Sequence, residues 1–154
     1  MIKINVVLKN IKWKKYLKNP NIFIKKKILK INKKNKTYKD KILICTLLLS
    51  GSPEIKKLNK KFRKKNKSTD ILSFPSFGKE KLKNEIKNNK KIYLGDIIIN
   101  LEKIKNKNEE FLFLEQFNEL WIHGLTHLFG YKHKMDKDFY TMNRVEKRFL
   151  KYIN

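Results

Sequence analysis

The stretch F-L-F-L-E-Q-F-N-E-L-W-I-H-G-L-T-H-L-F-G-Y-K-H, Phe111 to His133, holds the longest apolar segment of the chain and all three of its histidines. Phe111 to Phe129 has too many apolar positions for a surface helix, so it predicts a central helix on which the other elements pack. Gln116, Glu119, His123, Thr126 and His127 fall close to one angular stripe of that helix. Unpaired polar groups in a buried stripe cost about 1–3 kcal/mol each, so the stripe needs partners, and a metal ion would supply them. His123 and His127 stand four apart, which on a helix sends both imidazoles from one face about one turn apart. Gly130 can adopt the left-handed conformation that ends a helix and return His133 toward the same ion. Three histidines suit one tetrahedral zinc with an open fourth position, the pattern of a catalytic centre. A lone histidine on an apolar helix is ordinarily packed core, whereas three at this spacing point to a metal.

Outward from this helix the chain alternates strands and helices. Ile2 to Leu8 alternates before turning apolar and predicts a first strand. Asn21 to Asn32, entered after Pro20, has the apolar spacing of an amphipathic helix. Ile42 to Leu49 is nearly all apolar, as in a strand covered on both faces. Ser50-Gly51-Ser52-Pro53 breaks it, Ser52 can cap a helix, and Ile55, Leu58 and Phe62 share one face of a helix ending near Arg63. Lys64 to Ser68 is a basic loop leading to a short strand that Pro75 stops. Lys79 to Lys91 reads as an exposed polar excursion, and Ile92 to Asn100 as a strand interrupted at Gly95-Asp96. Asp138 to Ile153 places Phe139, Met142, Val145 and Phe149 at helical spacing, closing over the core. The expected class is α+β: a single domain spanning 1–154, with a mixed, mostly parallel sheet of about four strands packed with about five helices and a zinc site at the central helix.

A formal net charge of +25 over 154 residues, almost wholly from lysine, would attract a polyanion such as RNA. The excess is spread along the chain with abundant asparagine and isoleucine, all served by A- and T-rich codons, so the charge supports nucleic-acid binding without establishing it. The start M-I-K-I-N-V-V-L-K-N lacks the features of a signal peptide, and no apolar run reaches the length of a membrane span. Cys45 is the only cysteine, which excludes an internal disulfide and fits a reducing, cytoplasmic setting.

The pattern H-E-x-x-H-x-x-G-x-x-H of zinc peptidases shares the spacing of His123, His127, Gly130 and His133, but needs a glutamate after its first histidine as proton acceptor. Here that position is Gly124, which argues against peptidase chemistry and can admit substrate or a neighbouring backbone. The segment His123 to His133 instead resembles the signature H-G-x-L-H-L-x-G-Y-D-H of the YbeY family of bacterial metal-dependent endoribonucleases, also described as rRNA maturation factors. Leu58-Asn59-Lys60-Lys61-Phe62-Arg63 with Thr69-Asp70-Ile71-Leu72-Ser73-Phe74-Pro75 is similar to that family's second block, Gly95-Asp96-Ile97 to its third, and Met142 with Glu146 to its C-terminal M-x-x-x-E. Thr126 replaces the usual leucine and Lys132 the usual aspartate; neither removes a ligand.

The resemblance implies that His123, His127 and His133 hold one Zn2+ and that Arg63 acts in catalysis or phosphate binding. It implies a cytoplasmic, single-strand-acting endoribonuclease in rRNA processing, namely 16S rRNA 3′-end maturation and ribosome quality control, with RNA and the ribosomal subunit or its proteins as partners and no membrane. The physics agrees, since a zinc ion and a bidentate guanidinium both answer charge developing on a phosphodiester. The alternative is a non-catalytic RNA-binding assembly factor with a structural metal; a hydrolase of peptides or other small substrates ranks third. Asp70 is expected to cap or orient its loop rather than act as a base. Glu119 either supports a ligand or is a satisfied core carboxylate, and Met142 either lies beneath the metal or is ordinary core.

Overall fold

The computed structural model describes residues 1–132 and 136–154, so His133 lies outside the described residues. Four strands, β1 (Ile2–Leu8), β2 (Ile42–Ser50), β3 (Ile71–Pro75) and β4 (Lys91–Asn100), form one sheet in the order β1-β2-β4-β3. β1, β2 and β4 run parallel and β3 runs antiparallel to β4 at the edge. The helices are α1 (Pro20–Lys34), α2 (Ser52–Arg63), α3 (Lys79–Asn88), α4 (Glu110–Leu128) and α5 (Asp136–Ile153). Two short 3-10 turns, Ile11–Lys15 and Leu101–Lys103, join them. This is the expected α+β arrangement, a mostly parallel four-stranded sheet with five helices, and no described helix is long and apolar enough to cross a membrane.

The main core lies on one sheet face. Leu43, Cys45, Leu47 and Leu49 alternate into it from β2 and meet Ile24, Ile28 and Ile31 of α1 and Phe113, Phe117, Trp121 and Leu125 of α4. Each fully buried side chain of this size contributes roughly 1.5–3 kcal/mol relative to exposure, so the helix-facing side dominates stability. Ile42, Ile44, Thr46 and Leu48, the alternate residues of β2, are only half-buried. The strand is thus fully covered on one face, not on both as its apolar run suggests; the apolar excess came from residues that the second face leaves partly open. A small second cluster does occupy one end of that face, where α2 lays Ile55 and Leu58 on Leu48, Leu72, Phe74 and Ile98.

Three local expectations differ from what is observed. Gly95-Asp96 does not interrupt β4: Ile44 pairs with Tyr93 and Cys45 with Gly95, so Leu94 is an extra residue in a bulge. Gly95 has φ +130, and a Cβ there would approach the Phe74 carbonyl oxygen to 2.1 Å. Lys79 to Asn88 is a helix, α3, in which Leu82 is buried and Ile86 packs half-buried one turn later. Two apolar residues at i, i+4 are enough once a core is present to receive them.

Ser52 does not cap α2 with its hydroxyl; Gly51 is the N-cap, and the Ser52 N–H donates to Glu102 Oε2 at 2.7 Å. A carboxylate from the 3-10 turn that follows β4 thus holds the positive end of α2. Glu102→Ala is expected to lower stability by about 1 kcal/mol, the scale of a lost N-cap, read as an earlier urea midpoint; an unchanged midpoint would remove Glu102 from this role.

Candidate metal centre

α4 carries its histidines where its packing demands. Phe113, Phe117, Leu120, Trp121 and Leu125 turn inward, and Gly124 presses on the sheet: a Cβ at 124 would meet Ile97 Cγ2 at 2.6 Å and Ile71 Cδ1 at 3.1 Å. Position 124 therefore faces the helix–sheet seam, and the glycine serves close packing rather than substrate entry. His123, one residue earlier, opens instead into a cleft of about 550 Å³ between α4, the start of β3 and α5, lined also by Asp70, Ile71, Glu119, Asn143 and Glu146. A larger groove of about 780 Å³ lies near the opposite end of α4, among Lys15, Lys18, Lys26 and Phe113, away from the histidines.

The two imidazoles meet edge to face, with Nε2 of His127 3.0 Å from Nε2 of His123. Their other nitrogens are held. The Tyr131 carbonyl, which can only accept, lies 2.9 Å from His127 Nδ1, and Glu146 Oε1 lies 2.8 Å from His123 Nδ1. With Nδ1–H donating on each ring, both Nε2 lone pairs turn toward the same point. Two nitrogens bound to one tetrahedral zinc at about 2.0–2.1 Å stand roughly 3.3 Å apart, close to the separation here. The pair therefore fits a borderline cation, and the acceptors behind the rings are the kind that set tautomer and orientation in such sites. Among the described residues no group of three or more His, Cys, Asp or Glu forms a metal cluster, and the expected third ligand, His133, lies outside them.

The chain reverses after α4 as anticipated. Gly130 takes φ +83, its N–H donates to the His127 carbonyl at 2.9 Å, and the Tyr131 N–H donates to the Thr126 carbonyl at 3.2 Å. This reversal brings the Tyr131 carbonyl onto His127, a contact no residue pattern announces.

Thr126 and Glu146 form the layer behind His123. The buried Thr126 hydroxyl shares its proton between the His123 carbonyl, 2.7 Å away, and Glu146 Oε1, 3.2 Å away. A leucine at 126 could not do this, so the substitution adds a donor to the carboxylate that orients His123. Glu146→Gln, which can present an amide N–H to Nδ1, is expected to weaken zinc binding about 10–100-fold, measured by competition with a chromophoric chelator; wild-type affinity would show that Glu146 does not orient the ring. Met142, one turn before Glu146, is buried core.

Arg63 ends α2, where Lys64 turns left-handed at φ 58. Asn59, buried, anchors the following basic loop by donating to the Lys67 carbonyl at 2.8 Å. The Arg63 guanidinium donates to the Ser73 carbonyl at 3.4 Å on β3. Because Ile71 meets α4 and Leu72 meets α2, the two helices lie on opposite sheet faces. Arg63 thus reaches the edge strand from the α2 side, two residues and about 7 Å along β3 from Ile71, which lines the histidine cleft. Asp70 has the expected loop role, accepting from the Ile71 N–H at 2.8 Å and the Thr69 hydroxyl at 2.9 Å. Glu119 is exposed on the cleft wall, not a core carboxylate. Cys45 is fully buried, and burial pushes its thiol up to about 12, which removes it from nucleophilic or ligand chemistry near neutrality. Lys132 is exposed, and nothing in the structure explains its replacement of an acidic residue.

The family model described as Endoribonuclease YbeY matches residues 8–154. A protein named endoribonuclease YbeY from Pelagibacter ubique (strain HTCC1062) is 43% identical over 155 residues, 99% of this chain and 97% of the relative. One of the same name from Ehrlichia canis (strain Jake) is 33% identical over 97% of this chain and 91% of its own length. The solution structure of TM1509 from Thermotoga maritima superposes with a TM-score of 0.59 at 26% identity, covering 98% of this chain and 89% of that one. With nearly its whole length matched, the chain belongs to the endoribonuclease YbeY family.

Proposed function

We propose that this chain is a zinc-dependent, single-strand-acting endoribonuclease in rRNA processing, acting in the cytoplasm on the 3′ end of 16S rRNA and in ribosome quality control, in contact with the ribosomal subunit. The observation that carries the zinc reading is the convergence of the His123 and His127 Nε2 atoms at 3.0 Å with both Nδ1 atoms held from behind. His123 and His127 would hold one Zn2+ together with His133. When bound, zinc supplies Lewis-acid polarisation of the scissile phosphate and acidifies the attacking water. Glu146 and the Tyr131 carbonyl keep the two rings in the ligating tautomer, and α5 covers the cleft on one side. Arg63 offers a planar pair of donors to phosphate oxygens from the β3 edge.

The experiment is metal content together with RNA cleavage for the intact protein and for Arg63→Ala. The expected result is unchanged zinc and cleavage reduced by roughly 10²–10³-fold, the scale of one lost transition-state donor. Cleavage at the wild-type rate would take Arg63 out of the reaction. The second reading, an RNA-binding assembly factor with a structural metal, draws on the placement of Gly124, which leaves no base beside the first histidine. A folded His133→Ala protein that still supported rRNA maturation in cells would favour it.

A further inference from the structure

The helices leave much of the second sheet face uncovered. On it, across the strands, lie Lys3, Ile44 and Tyr93 in one row and Asn5, Thr46, Asp96 and Phe74 in the next, with Phe62 of α2 against Phe74 at 5.2 Å between ring centroids. Tyr93 is 43% exposed and Phe62 57% exposed, high values for aromatic side chains beside a core cluster.

The Leu94 bulge creates this surface. Residues 93 and 96 are an odd number apart and would face opposite sides of a regular strand. The extra residue puts both on the open face, and the Tyr93 hydroxyl donates to Asp96 Oδ1 at 2.7 Å. Having given its proton to the carboxylate, the same oxygen accepts from Thr46 Oγ1 at 2.7 Å. Tied at its tip, the Tyr93 ring is held in place with an open side, and the Asp96 charge is engaged within the face. Cations border it: Lys91 two residues before Tyr93 on β4, Lys3 across Ile44 on β1, Lys61 5.2 Å above the Phe62 ring, and Arg63 next in sequence at the β3 edge.

We propose that this open sheet face is a stacking platform for single-stranded RNA, with bases on Tyr93 and Phe62 and the backbone along Lys3, Lys91, Lys61 and Arg63. Exposed rings offer a sequence-tolerant surface to unpaired bases, and flanking lysines answer phosphates. The face ends at Arg63, which reaches the strand that also lines the histidine cleft, so a strand lying on it is delivered around the edge of β3 to the candidate centre. The platform deepens the nuclease reading and rests on it for the identity of the nucleic acid.

The test compares binding of two single strands of about ten nucleotides to the intact protein by fluorescence anisotropy. One is 2′-O-methyl oligouridylate; the other is its abasic counterpart, with the same phosphates and no bases. Wild type is expected to prefer the base-bearing strand by about tenfold or more. Tyr93→Ala should lose most of that preference while melting near the wild-type temperature, Tyr93→Phe should retain it, and Phe62→Ala should lower it. Equal binding of the two strands by wild type, or an unchanged preference in Tyr93→Ala, would overturn the platform and point the face toward a protein partner instead. RNA cutting is scored separately on the same samples. A protein that cuts RNA but shows no base preference loses the platform and keeps the nuclease reading; one that shows the Tyr93-dependent preference without cutting does the reverse.

Discussion

His127→Ala is expected to abolish RNA cleavage, a fall of at least roughly 10³-fold, and to lower zinc affinity by more than about 10²-fold. His127 Nε2 faces His123 Nε2 at 3.0 Å while its Nδ1 sits on the Tyr131 carbonyl, so the variant removes one of the two converging lone pairs. The measurement is zinc per chain by elemental analysis, paired with cleavage of a labelled RNA before and after metal stripping and restoration. His123 and its Glu146 contact remain in this variant, so its fold should persist and the loss should track the metal. Undiminished cutting by the variant, or by fully stripped wild type, would end the zinc mechanism.

Gly124→Glu is expected to unfold much of the protein rather than create a peptidase. The side chain would enter the seam where even a Cβ stands 2.6 Å from Ile97 Cγ2, a stiff β-branched methyl on a central strand. Overpacking and burial of an unpaired carboxylate together cost at least roughly 3–5 kcal/mol. That is a large share of the 5–15 kcal/mol or so that holds an ordinary domain together. Gly124→Ala should cost less, about 1–2 kcal/mol, because relief of glycine's poor helix propensity offsets part of the clash. Thermal unfolding of the three proteins orders them; a glutamate variant melting with wild type would show that position 124 does not face the sheet. The same contact keeps a glutamate out of position 124, where the zinc-peptidase pattern carries its base.

The residue pattern resolved what short-range rules govern. Helical spacing announced α4, and the i, i+4 separation of His123 and His127 predicted the shared face on which both imidazoles are found. Alternation marked β1, and Pro20 and Pro53 marked helix starts. α3 is not legible in the residue pattern because Leu82 and Ile86 are too few to signal a helix without the core that receives them. Glu146 was visible only as one residue of a resembling motif; its hydrogen bond to His123 joins positions 23 apart.

Side-chain chemistry and periodicity are local properties, and from them alone follow the α+β class, the central helix, and which residues could ligate a metal or grip a phosphate. Three features are set by the packed chain instead: Arg63 comes to the β3 edge from the sheet face opposite α4, Gly124 is a packing glycine, and one extra residue at Leu94 turns Tyr93 and Asp96 onto the same open surface. Those outcomes depend on strand order, on register and on which sheet face each helix covers. They are set by burying the whole apolar set at once, and no single segment contains them.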